Sequence, residues 1–78
     1  MIEEKLKAET DKWLKRIEEK RKILQLLDDS RKDLIVNMDA YTSDCKHFTK
    51  EGKLIEAFEA VIWAWSILEL GERVGWWR

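Results

Sequence analysis

The stretch LIEAFEAVIWAWSILEL, residues 54–70, decides how this chain folds. Of its 17 residues 13 are apolar, and the exceptions are Glu56, Glu59, Ser66 and Glu69. A helix that apolar has to be covered on more than one side, so it is expected to be the central element. On a wheel at about 100° per residue, Ala57, Val61, Ala64 and Leu68 centre the buried face. Glu56, Glu59, Ser66 and Arg73 lie opposite. Trp63, Leu70 and Trp77 also fall on that polar side, spaced by seven. Large apolar groups on a polar face point to contact with another protein surface, unless a third helix covers them. The three acids in the stretch make it costly to place in a bilayer.

Working outward, Gly52 suits the left-handed residue that ends one helix and frees the next. The third helix is expected over about 53–74. Ahead of Gly52, Leu34, Met38, Tyr41, Cys45 and Phe48 step by four, three, four and three, a core seam on a second helix over about 30–50. Ser30 followed by Asp33 resembles a capping box that would start it. Leu6, Trp13, Ile17, Leu24 and Leu27 mark the inner face of a first helix over about 2–27. The apolar phase runs unbroken from the first helix into the second, so periodicity alone also permits one helix over 2–50. Such a helix would need its whole seam covered by one shorter partner, which favours the break.

The chain has no proline and three glycines in 78 residues, too few turn formers for anything but a few long helices. The expected fold is all-α: an antiparallel three-helix bundle, one domain over 1–78, with the third helix central. A core this small is marginal, so packing must be efficient or a second copy must help. One cysteine, Cys45, permits no internal disulfide and fits a reducing compartment. The first residues lack the apolar run of a signal peptide, and a cytoplasmic location is expected. The scarcity of Asn and Gln beside abundant Lys and Glu resembles heat-adapted proteins.

The segment 38–68 is similar to a single tetratricopeptide-type hairpin, with Cys45, Phe48, Gly52, Ala57 and Ala64 at that repeat's spacing. One unit cannot form a solenoid, so the first helix must cover its spare face. Tyr41, Asp44, Phe48, Gly52, Ala57, Ala64, Leu68, Gly71 and Gly75 resemble the signature of the archaeal family known as domain of unknown function 357. The resemblance implies a short helical protein of archaeal type and no assigned activity. The chain departs from the family at Glu69 and Leu70, which replace a usual Asp-Ala, and at Trp63 and Trp65, where tyrosines are usual.

Catalytic and metal chemistry find little to work with. Cys45 and His47 point about 200° apart on a helix, so they cannot converge on one ion, and no cofactor or metal is expected. Ser43 lies one turn before His47, yet nothing supplies an oxyanion hole or an orienting group. No glycine-rich phosphate loop is present. The chain is therefore expected not to be an enzyme. Asp44, flanking the seam beside Tyr41, is expected to accept an indole N–H from Trp63 or Trp65, with ligand contact as the second role.

Two functions remain open. The first is an assembly module that forms a homodimer, or docks an unknown protein, through Trp63, Leu70, Trp76 and Trp77. The second is a nucleic-acid or nucleotide binder using Lys12, Lys15, Arg16, Lys20, Arg21 and Lys22 with a stacking tryptophan. With 15 basic and 16 acidic residues the net charge is −1, which favours the first.

Overall fold

A computed structural model describes all 78 residues. Three α-helices follow one another: α1 (Ile2–Ile23), α2 (Lys32–Lys50) and α3 (Leu54–Val74). A single 3-10 turn, Asp29–Arg31, leads into α2. The bundle is 42 Å long and 17 by 16 Å across.

The register of the bundle is fixed by a few cross-helix pairs. Trp13 meets Trp65 edge to face at 5.4 Å between ring centres. About two turns further on, Lys20 Nζ lies 3.0 Å from Glu72. Both pairs are offset by 52 residues, so α1 runs parallel to α3. Arg21 reaches Asp39, and Lys46 reaches Glu18, which makes α2 antiparallel to α1. The path is up, down, up.

As the apolar run predicts, α3 is the central element. Ala57, Ala60, Val61, Ala64 and Leu68 are buried along it, facing Ile35, Met38 and Cys45 of α2 and Ile17 of α1. Three alanines let the helices approach closely, so dispersion contacts are dense despite the small side chains. The one buried polar side chain, Thr10, returns its hydroxyl to the Leu6 carbonyl at 2.8 Å. Gly52, at φ +74°, makes the α2–α3 turn. The Lys53 amide donates to the Phe48 carbonyl across it at 2.9 Å.

Three expectations need correction at one end of the bundle. The first helix stops at Ile23 rather than near residue 27, because Leu24 is extended (φ −64°, ψ 132°), and this also excludes one helix over 2–50. The second helix has no side-chain cap of its own and no Ser30 capping box. It is led in by the 3-10 turn, which Asp28 caps, its carboxylate accepting from the Ser30 amide at 3.0 Å and the Ser30 hydroxyl at 2.6 Å. The third concerns the tail. Gly75, at φ +82°, ends α3 and turns the chain back across the bundle. Residues 76–78 then pair with the α1–α2 linker. Gln25 and Arg78 exchange both main-chain bonds, at 2.6 and 3.0 Å, and the Leu27 amide donates to the Trp76 carbonyl at 2.8 Å. Leu26 and Trp77 form the antiparallel bridge between them.

Trp77 is thereby driven into the core. It is 1% exposed, the largest fully buried side chain, and its indole N–H donates to the Leu68 carbonyl at 3.1 Å. It therefore does not lie on the outer face of α3 with Trp63 and Leu70.

Candidate functional site

All three helices turn apolar side chains inward, and α3 leaves the largest set of them outside. Ile55 (66% exposed), Ile62 (39%), Trp63 (59%), Leu70 (51%) and Val74 (54%) all stand on its outer side. At 100° per residue they occupy one sector, together with Glu59, Ser66 and Arg73. Glu59, Ser66 and Arg73 run down the middle of that sector, with Ile55 and Ile62 on one side and Trp63, Leu70 and Val74 on the other. Five exposed apolar groups on one face of a small protein, here a strip in two rows, mark a contact surface. α1 does not cover it: the α1 side of α3 is the Trp65 and Glu72 side.

Trp63 and Leu70 are where the heptad spacing predicts. Trp63 lies nearly parallel to the Tyr41 ring of α2, 6.2 Å between centres and 22° between planes. The stack holds the indole against the bundle and widens the apolar surface toward α2. Trp76 is not on the strip. It is half-buried beside the linker, with the Arg31 guanidinium 4.6 Å over its ring. The strip also contains Ile55, Ile62 and Val74, which a search for aromatic residues at spacing seven passes over. Their signal was available, because all three fall within the same wheel sector.

Asp44 does not play the expected part. It is exposed and accepts no indole N–H; Trp63 is itself largely exposed, so its N–H needs no protein partner. Trp13 donates to Glu9 at 3.2 Å and Trp65 to the Trp13 carbonyl at 3.0 Å. The local helix carries the reason: Asp44 sits on the outer side of Tyr41, turned away from the α1 side to which Trp65 points.

The basic face of α1 is largely engaged within the molecule. Lys12 pairs with Glu9 at 3.0 Å, and Lys12 and Arg16 lie 5.2 and 5.0 Å over the Trp13 ring. Lys20 pairs with Glu72, and Arg21 grips Asp39 through two bonds of 2.8 and 3.1 Å. The hydrogen bond to Asp39 raises the Arg21 pKa above its ordinary value. A groove of about 280 Å³ lies between α1 and α2, floored by Ile17 and Met38 and crossed by the Arg21–Asp39 and Lys46–Glu18 pairs. Charges that neutralise one another across a groove leave little net field for a phosphate.

Cys45 is fully buried, and burial pushes its thiol pKa up, so it is a packing residue in the seam. His47 is exposed and points to Glu51 at 3.5 Å. No cluster of three or more His, Cys, Asp or Glu side chains converges anywhere in the chain. No helix is long and apolar enough to cross a membrane.

Comparison with known proteins agrees with this architecture. No curated protein matches the chain significantly. The chain is similar over its full length to the crystal structure of a protein from the archaeon Archaeoglobus fulgidus, itself a member of the DUF357 family. The two share 44% identity, with a TM-score of 0.90 over 100% of this chain and 97% of the other. The family model described as "protein of unknown function (DUF357)" matches residues 9–77. That span takes in most of α1 and of the folded-back tail as well as the hairpin whose residues first suggested the likeness. With the match covering nearly all of the bundle, the chain belongs to the DUF357 family.

Proposed function

We propose that this protein is a non-catalytic docking module whose outer α3 face binds a protein surface, either a second copy or another chain. The observation that carries the reading is the strip of five exposed apolar side chains, Ile55, Ile62, Trp63, Leu70 and Val74, on one face of the central helix. Burying them in water-free contact recovers the hydrophobic free energy that the isolated bundle forgoes. Trp63 has the makings of an anchor: a large aromatic held by a stacked neighbour loses little freedom on binding. Glu56 and Glu69 would lie at the polar rim, with Glu59, Ser66 and Arg73 between the two apolar rows.

The alternative, nucleic-acid binding through α1, gains nothing from the geometry, since four of the six basic residues are occupied by acids or by Trp13. The test compares affinity capture from cells of the source organism by the native chain, by Leu70→Glu and by Val36→Glu. Val36 is exposed on α2, away from the strip. The expected result is a bound chain, second copy or other, lost with Leu70→Glu and kept with Val36→Glu. Binding that survives Leu70→Glu would overturn the reading.

A further inference from the structure

One line down the outer face of α3 is spaced alike from both ends. Glu59, Ile62, Ser66, Leu70 and Arg73 follow at steps of three, four, four and three, centred on Ser66. All five face outward, and the two charges at the ends have opposite sign. In an antiparallel pair of α3 helices related by a two-fold axis at Ser66, position n of one copy stands level with position 132 − n of the other. Glu59 then meets Arg73 of the second copy, twice. Ile62 shares a layer with Leu70, also twice. Ser66 meets its own equivalent on the axis, where a small side chain lets the helices close to about 8–10 Å.

We infer that the occupant of the α3 face is a second copy of this chain, packed antiparallel about a two-fold axis through Ser66. The inference rests on the docking role proposed above and names its partner. An isologous contact demands that a surface complement itself, which a face with two like charges at its ends could not do. Glu59 and Arg73 are free for the purpose, because the chain's seven ion pairs all use other groups. Like flanks of the two helices meet under this symmetry. Trp63, on the α2 flank, therefore packs beside Leu70 of the second copy, which lies on the same flank and one residue away in level. Tyr41 backs the Trp63 ring at 6.2 Å and extends the contact from helix to hairpin.

Sedimentation equilibrium on the full chain tests the arrangement. The native chain is expected to be a dimer. Glu59→Arg and Arg73→Glu each place like charges together at both ends of the seam, and each should weaken the dimer roughly tenfold or more. The doubly exchanged chain, carrying both substitutions, should recover near-native dimerisation. Both residues are exposed, and circular dichroism on each variant checks that the fold is intact. Ser66→Cys should oxidise to a disulfide-linked dimer, since facing cysteines on the axis come within bridging range. Cys45 is fully buried and does not compete. A native monomer at all concentrations would overturn the inference, as would a dimer indifferent to the single reversals or not restored by the exchange. A monomer whose capture of another protein is still lost with Leu70→Glu would sink the second-copy occupant alone. A dimer that withstands Leu70→Glu would sink the α3 docking role with it.

Discussion

Gly71 lies inside α3 and a Cβ placed on it would stand 2.0 Å from Cζ2 of Trp77 and 2.1 Å from Cε2. No rotation of a buried indole clears that overlap, because the ring is held by its bond to Leu68 and by the folded-back tail. Gly52 is the opposite case: a Cβ there meets nothing within 4 Å, but φ is +74°. The two glycines are needed for different reasons, space at one and conformation at the other. Gly71→Ala is expected to destabilise by about 1–3 kcal/mol through overpacking. Gly52→Ala should cost about 1–2 kcal/mol through the left-handed backbone, and Gly52→Asn less, since Asn tolerates that conformation. Urea titration of the three variants measures each value. Equal losses for Gly52→Ala and Gly52→Asn would show that conformation is not the cause.

At the scale of helices and their ends, the sequence was legible wherever a periodic pattern met a strong punctuation mark. The seam through Met38 and Cys45, the Gly52 turn and the alanine face of α3 could be read because each is set by residues within a few turns of one another. The end of α1 could not. Leu24 and Leu27 keep the helical phase, and the residues that pull Leu24 to Leu27 out of the helix are Trp76, Trp77 and Arg78, some fifty positions away. The same partner explains Trp77: its wheel position assumed a helix that Gly75 had already ended. Asp28 was missed as the cap because Ser30 matched a four-residue motif, whereas the structure uses a two-residue Asx turn into a 3-10 start.

That cap has a measurable signature in acid. Hydrogen bonds from the Ser30 hydroxyl, and then its amide, hold the Asp28 carboxyl below its ordinary 3.8. Glu9 is likewise held below 4.5, chiefly by its bond to Lys12. Both groups are more acidic in the folded chain. Their contribution is therefore present above the ordinary values and is lost as pH falls through the depressed ones. Asp28→Asn should flatten the decline in melting temperature between pH 4 and pH 2. An unaltered slope in Asp28→Asn would show that the cap does not carry the acid sensitivity.

Over the whole molecule, the tail ties together the ends of all three helices. Through Gln25, Leu27 and Asp28 it holds the exit of α1 and the entry of α2, and through Trp77 it is sealed onto the last turns of α3. The bundle thus opens or stays closed at that end as a unit, which predicts a hierarchy of amide exchange. Trp77→Phe removes the indole bond to Leu68 and part of the ring. Exchange at Gln25, Leu27 and Arg78 should then quicken by about tenfold or more relative to Val61 and Ala64. Uniform acceleration across the chain, measured by exchange mass spectrometry, would mean that the tail opens only with the entire fold.

The unequal settings of the five tryptophans have an optical consequence. Trp77 is sealed, Trp13, Trp65 and Trp76 are half-covered, and Trp63 alone stands mostly in solvent. Trp63 should therefore be the emitter most open to acrylamide, and its light comes from the middle of the α3 face. Whatever settles on that face shields Trp63 from the quencher, so the unlabelled protein reports occupancy of its own contact surface by the brightness it retains.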